Sequence, residues 1–221
     1  IADAVTMIAN ARRPILYTGG GVINAGPKAA ELLREFAKLT GAPVTSTLMG
    51  LGAFPASDPA WLGMVGMHGS FESNNAMHDC DVMVAVGARF DDRVTGKLDA
   101  FSPGSKKIHI DIDASSISKN VRVDIGIVGD AASVLEDLIA AWEQRDLSTD
   151  KVAMDEWWAQ IDRWRGRQSF RYRQDGNLIK PQHAIARLYE LTKDKDVYIT
   201  TEVGQHQMWA AQHFHFDEPN R

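Results

Sequence analysis

Only one cysteine, Cys80, occurs in 221 residues. It cannot form an intrachain disulfide, and no second thiolate is at hand for a cysteine-based zinc site, so a reducing, cytoplasmic setting is the expectation. Long apolar runs are missing too. None approaches the roughly 20 residues a helix needs to cross a bilayer, and no basic-then-apolar leader is seen at the start, which sets membrane and secretory readings aside. Positive charge is in short supply: 24 Lys and Arg face 29 Asp and Glu, a formal net charge of −5. A nucleic-acid partner demands clustered Lys and Arg to neutralise phosphates, and only Arg163–Arg173 clusters. What remains, 44% apolar and 24% charged, is an ordinary globular composition. The length suits one large domain, or one domain plus a piece of another. Ile1 is not an initiator Met and Ile1–Asn10 already reads as an amphipathic helix, while Asp217–Arg221 follows an aromatic-rich segment with no closing element. A piece of a longer polypeptide is the expectation.

The run Arg13–Thr18 is short and apolar, ends in Gly19-Gly20-Gly21, and is followed by helical spacing at Ala29, Leu32, Leu33, Phe36 and Leu39. After the break at Gly41-Ala42-Pro43 comes the β-branched run Val44–Thr47, then Val82–Val86, Lys107–Ile112 and Ile125–Val128, each read as a strand, with a helix from Ala131 to Trp142. Short, nearly all-apolar strands alternating with helices predict a parallel sheet covered on both faces, an α/β fold. Ligands of such sheets lie at the strands' carboxyl ends, which directs attention to the loops Gly19–Gly21, Thr47–Gly52, Gly87–Arg93, Asp111–Ser116 and Gly129-Asp130. Asp146–Asp150 reads as a boundary. Beyond it, Trp157, Trp158, Ile161 and Trp164 share helical spacing with Arg163, Arg165 and Arg167 between them, a helix that packs tryptophans on a neighbour or, alternatively, binds phosphate. A new unit opens at Pro181, with a helix to Leu191, a strand at Val197–Thr201 and a turn at Glu202–His206.

The triple glycine suits either a phosphate cradle or a tight turn demanded by packing, and Asn24 stands where the dinucleotide fingerprint has its last glycine. Arg89 and Arg93 can hold a diphosphate or a carboxylate in a bidentate fork oriented by Asp91 or Asp92, or form a solvated ion-pair cluster. Asp111 suits a ribose hydroxyl, whereas Asp113 serves equally as a helix cap with Ser115 and Ser116. His68 and His78 lack companion ligands at metal spacing, so no metal site is expected. Around Gln205-His206-Gln207 and His213–His215 nothing supplies a nucleophile, base and orienter together, and Met208 and Trp209 read as core.

Five strings in order, Ser46–Gly52 (STLMGLG), Gly63–Gly69 (GMVGMHG), Gly87–Gly96 (GARFDDRVTG), His109–Asp113 (HIDID) and Glu202–Gln212 (EVGQHQMWAAQ), make the whole chain resemble the catalytic large subunit of acetohydroxyacid (acetolactate) synthase, a thiamine-diphosphate enzyme family. The resemblance implies that residues 1–150 form a central FAD-binding α/β domain, 151–180 a helical linker, and 181–221 the start of the thiamine-diphosphate-binding domain. It implies that Gly20, Thr47, Leu48, Val65, Gly66, Met67, His68, Gly87, Arg89 and Asp91 line the flavin and diphosphate path of an FAD bound structurally, without net redox chemistry. Asp111, Ile112, Asp130 and Ala131 continue along the adenosine. Asp92 and Arg93 match the active-site entrance, the arginine suited to a keto-acid carboxylate, and Gln205 and His206 match contacts to thiamine diphosphate. The implied reaction decarboxylates pyruvate and joins the product to a second 2-keto acid in branched-chain amino-acid biosynthesis. A homo-oligomer, dimer or tetramer, and a regulatory small subunit are implied as partners. The family's activating glutamate and its Mg2+ ligands match nothing here, so this chain alone is expected to be inactive. Two alternatives stand beside this reading: a non-catalytic FAD- or nucleotide-binding module, and a related carboligase with another keto-acid preference.

Overall fold

The computed structural model describes residues 1–221 and opens, as expected, on a helix, α1 (Ala2–Ala9), that buries Ala4, Val5 and Ile8. β1 (Pro14–Thr18) begins with a proline at its first position, where a missing N–H is tolerated. The single helix expected after the glycines is two, α2 (Gly20–Asn24) and α3 (Pro27–Thr40), divided at Gly26, whose φ of +92° only glycine adopts readily. Gly41, left-handed at φ +68°, ends α3 and releases the chain into β2 (Val44–Ser46). Next come β3 (Trp61–Met64), α4 (Phe71–Asp79), β4 (Val82–Val86), the one-turn α5 (Asp92–Thr95), β5 (Lys106–Asp111), β6 (Ile125–Val128) and α6 (Ala131–Gln144).

All pairings are parallel and the sheet runs β3-β2-β1-β4-β5-β6. Strand order reverses between β1 and β4, where loops leave in opposite directions and a crevice opens at the carboxyl ends. Every residue of β1 and β4 is buried, as strands covered on both faces must be. Leu16, Val84 and Ile108 join the core under α1, α3 and α6, where Phe36 meets Trp142 edge-on at 6.3 Å. Ile15, Tyr17 and Met83 join the opposite core, closed by α4 and α7 (Lys151–Arg165). The tryptophan face read after Asp150 therefore packs on the sheet: Trp157 is buried and donates Nε1–H to the Pro14 carbonyl at 3.0 Å, and Trp158 reaches the Gly41 carbonyl. Helices thus cover both faces of the sheet, as expected, and only the edge strand β6 leaves a large apolar side chain out, Val128 at 58% exposure.

β3 is the strand that composition does not announce. It is four residues long, contains Gly63, sits at the sheet edge and pairs with β2 through a register shift. Past the register shift Val65 N–H bonds the Ser46 carbonyl of β2, while the carbonyls of Leu62 and Met64 turn away from β2. α4 closes them with side chains. Ser70 donates Oγ–H to the Leu62 carbonyl at 2.6 Å, Ser73 to the Met64 carbonyl at 2.7 Å, and Asn74 engages both backbone groups of Gly66.

Beyond α7, α8 (Pro181–Thr192) starts with Pro181 as expected and packs on α9 (Gln205–His213), which begins inside the segment read as a turn. Val197–Thr201 is not a strand. Its β-branched composition suits one, but no neighbouring strand lies beside it and its one backbone bond is Ile199 N–H to the Arg221 carbonyl. No helix is long and apolar enough to cross a membrane.

Candidate functional site

The loops singled out in the sequence gather on one rim, because each leaves the carboxyl end of a strand in an all-parallel sheet: Gly20 after β1, Thr47 and Leu48 after β2, Val65–His68 after β3, Gly87–Arg93 after β4, Asp111 and Ile112 at β5, Asp130 and Ala131 after β6. The three glycines divide the two roles left open for them. A Cβ on Gly19 would lie 2.4 Å from the Gly87 carbonyl oxygen and one on Gly21 2.5 Å from Gly87 Cα, so these two are required by packing. Gly20 is different. Its nearest neighbour would be Met49 Cβ at 3.3 Å, and the residue stays half-buried at the rim.

Two hydroxyls form the floor between β1 and β2. Thr18 Oγ1 and Thr47 Oγ1 are buried without a partner, and the two residues are joined by Thr47 N–H to the Thr18 carbonyl at 3.0 Å. A buried hydroxyl without a partner is unfavourable by about 1–3 kcal/mol. A polar ligand lying across the carboxyl ends would satisfy both, so the donor set fits a nucleotide cofactor such as FAD.

After β4 the charges sort themselves. Arg89 pairs with Asp91 at 2.8 Å, and its carbonyl accepts the buried Tyr17 hydroxyl at 2.9 Å. Burial first, and then the Asp91 charge, push the Tyr17 phenol far above its usual value, so it remains a neutral donor. Asp92 and Arg93, exposed on α5, make no ion pair at all. The Arg93 carbonyl accepts Met67 N–H at 2.9 Å, which joins the β4 loop to the β3 loop.

At the β5 and β6 end, Asp111 Oδ1 accepts Asp113 N–H at 2.9 Å. Asp113 caps the turn Ala114–Ser116 through Ser115 N–H, the capping alternative of the sequence reading. Asp130 caps α6 through the N–H groups of Ala132 and Ser133, which leaves one of its oxygens for a ligand, and Ala131 is buried in the core. Ile112 is 73% exposed.

His109 is a residue whose environment the sequence does not disclose. It is 1% exposed, no well-aligned hydrogen bond reaches either ring nitrogen, Phe90 meets it edge-on at 5.0 Å, and Asp111 Oδ2 lies 3.7 Å from Nε2. Burial pulls its pKa below the usual 6.5, against the opposing pulls of Asp111 and, more weakly, of the nearby Ala88 backbone. The unfolded chain therefore takes up this proton at a higher pH than the folded one, and the folded state loses stability as pH drops below about 6.5. Urea midpoints measured from about pH 7 to about pH 5.5 are expected to fall less steeply for His109→Gln than for the parent chain. Parallel slopes would count against a neutral buried imidazole.

Gln205 and His206 do not join the rim. They sit exposed in the first turn of α9, whose far end touches the rim through Gln212 Nε2 donating to the His68 carbonyl at 2.9 Å. At 1.5 Å per residue that puts them about 10 Å farther along the helix. No group of three or more His, Cys, Asp or Glu side chains converges on a metal-sized site. In the Arg163–Arg173 cluster, Arg165 donates to the Pro59 and Trp61 carbonyls, which fastens α7 to the β3 edge, and Arg167, just past α7, lies over the Phe71 ring of α4 at 4.1 Å. A cleft of about 670 Å³ beside Arg163 lies at the opposite, amino-terminal end of the sheet, where both Asp81 oxygens are engaged by the N–H groups of Arg12 and Arg13.

Comparison with known proteins bears on the same residues. The model of the family described as "Thiamine pyrophosphate enzyme, central domain" matches residues 1–138. The acetolactate synthase large subunit of Haemophilus influenzae is 45% identical over 219 residues, 99% of this chain and 38% of that protein. The isozyme 3 large subunit of Escherichia coli K12 is 46% identical over 100% of this chain and 38% of its own length. Acetolactate synthase of Mycobacterium leprae is 46% identical over 99% of this chain and 35% of its own. The chain thus spans little more than a third of these curated relatives. By the matched residues, which include β1 to β6 and the loops that form the rim, the chain belongs to the thiamine pyrophosphate enzyme family as its central domain.

Proposed function

We propose that this chain is the central part, with the start of the following domain, of an acetolactate synthase large subunit. The observation that carries the reading is identity of 41–46% to acetolactate synthases along 99–100% of the chain. The unpaired Arg93 at the rim supports it from the chemistry. In this reading Gly20, Thr47, Leu48, Val65, Gly66, Met67, His68, Gly87, Arg89 and Asp91 hold the flavin and diphosphate of FAD. Asp111, Ile112, Asp130 and Ala131 hold its adenosine, and Gln205 and His206 face thiamine diphosphate. Ligands for Mg2+ belong to the rest of the protein.

Thiamine diphosphate supplies, when bound, the decarboxylation of pyruvate and the transfer of its two-carbon unit to a second 2-keto acid. The residues of this chain bind and orient. Arg93 presents a guanidinium fork to a keto-acid carboxylate, and Asp92 beside it keeps the entrance polar. The Thr18 and Thr47 hydroxyls, kept from water, serve FAD as fixed hydrogen-bonding groups. The words "large subunit" in the relatives' names support a smaller companion chain.

The full-length protein is expected to carry visible flavin absorbance and to form acetolactate from pyruvate with thiamine diphosphate and Mg2+. Arg93→Ala removes a charge-assisted contact of about 1.5–3 kcal/mol, so kcat/KM is expected to fall about tenfold to a hundredfold. Absence of acetolactate from the wild-type protein would overturn the assignment.

A further inference from the structure

Asn74 stands half-buried in α4 with its carboxamide turned on one residue of the rim. Its Oδ1 accepts Gly66 N–H at 2.9 Å and its Nδ2 donates to the Gly66 carbonyl at 3.0 Å. The amide orientation is unambiguous, because the reverse would set N–H against N–H and oxygen against oxygen. Gly66 is itself confined. It has φ +106°, and a Cβ there would lie 2.5 Å from the Arg93 carbonyl oxygen. Met67, the next residue, donates its N–H to that same oxygen at 2.9 Å. A continuous mechanical link runs from the Asn74 carboxamide through the Gly66 peptide to the backbone of α5.

That link matters because α5 has four residues. So short a helix has almost no stability of its own, and its placement follows from what its backbone docks on. Ser70 and Ser73 also tie α4 to the β3 edge, but they hold Leu62 and Met64 within the strand. Of the α4 side chains Asn74 alone reaches past the strand end to the rim, where it holds both peptide units that flank Gly66: it accepts the Gly66 N–H and donates to the Gly66 carbonyl, which Gly69 N–H also bonds at 2.9 Å.

We propose that Asn74 is a positioning residue: by fixing the Gly66 peptide it sets the Met67–Arg93 bond, and so holds α5 with the Arg93 guanidinium oriented toward the substrate carboxylate. The assignment rests on the role given to Arg93 under the proposed function.

The test uses the full-length protein. Asn74→Asp keeps the volume and still accepts Gly66 N–H, but it sets a carboxylate oxygen against the Gly66 carbonyl. At neutral pH the KM for pyruvate is expected to rise about tenfold, the equivalent of about 1.4 kcal/mol, with kcat within about twofold. As pH falls into the carboxyl's titration range the introduced group gains a proton, donates again, and KM returns toward the wild-type value. Asn74→Ala is expected to show the raised KM at every pH. Hydrogen exchange at the Met67 amide should be about tenfold faster in both variants at neutral pH. A lowered Tm with KM unchanged would reduce Asn74 to a structural role and overturn the proposal, as would unchanged exchange at Met67. If the wild-type protein makes no acetolactate, the functional reading fails and this role of Asn74 fails with it, while the Met67 exchange separately reports whether the Asn74–Gly66–Arg93 link exists.

Discussion

Gly21→Ala and Gly87→Ala are each expected to lower unfolding stability by about 4 kcal/mol or more, near the upper end of single-substitution effects. The two residues face each other across the point where strand order reverses. An added Cβ on Gly21 meets Gly87 Cα at 2.5 Å, and one on Gly87 meets Gly21 Cα at 2.6 Å. Neither neighbour is the end of a flexible side chain. Relief would require β1 and β4 to separate, and their loops are held by Gly19 N–H to the Val86 carbonyl and Gly21 N–H to the Gly87 carbonyl. Gly87 carries the additional burden of φ +57°. Two other glycines calibrate the effect. Gly96 has φ +55° but open space around it, so Gly96→Ala isolates backbone strain of about 1–3 kcal/mol. Gly104 has open space and no positive φ, so Gly104→Ala should change stability by no more than about 1 kcal/mol and in the stabilising direction. Equilibrium urea denaturation should order the four substitutions this way. Equal losses for Gly87→Ala and Gly96→Ala would mean that the close approach of the two loops contributes nothing.

The second large effect belongs to Trp157. Truncation to alanine is expected to destabilise by about 3–5 kcal/mol, because the indole is 2% exposed and fills the core between α7 and the sheet. Its edge-on contact with Trp164, at 5.7 Å between centroids, goes with it. Trp157→Phe separates the polar part. It restores most of the packing but leaves the Pro14 carbonyl without its donor, a loss of about 1–3 kcal/mol for a buried acceptor. Trp158→Phe also removes an indole donor, to the Gly41 carbonyl, but the ring is only half-buried and the bond is open to water, so stability should change by less than about 1 kcal/mol. A loss below about 1 kcal/mol for Trp157→Ala would mean that α7 does not close the second face of the sheet.

Trp157 also shows where sequence and structure part. Helical spacing of the tryptophans correctly predicts a helix with an apolar face, since periodicity is local, but the surface it covers is set by chain contacts over 100 residues away, as the bond to Pro14 illustrates. β1 and β4 are legible because a strand buried on both faces must be apolar throughout. β3 is not, because an edge strand containing Gly63 needs neither length nor β-branched composition when its neighbours satisfy its backbone. Val197–Thr201 errs in the other direction: it has the composition of a strand and no partner. At the site, position after a buried strand is enough to draw attention to Gly20, Arg89 and Arg93. Which carboxylate neutralises Arg89 is not legible, since Asp91 and Asp92 are adjacent and only the start of α5 between them decides that Asp91 is the one that pairs. Thr18, Asn74 and His109 could not be singled out as site residues, because a side chain's hydrogen-bonding state in the fold leaves no trace in its neighbours' identities.

The serine and asparagine closure along β3 has a consequence for assembly. A bare sheet margin is a template on which foreign strands register, and proteins commonly defend it with lysines, prolines or a twist. Here the outward carbonyls of Leu62, Met64 and Gly66 already hold donors from the protein's own helix. An intruding strand would have to displace three intramolecular bonds before forming one of its own, so a companion subunit approaching this flank meets a helical surface and cannot lengthen the sheet.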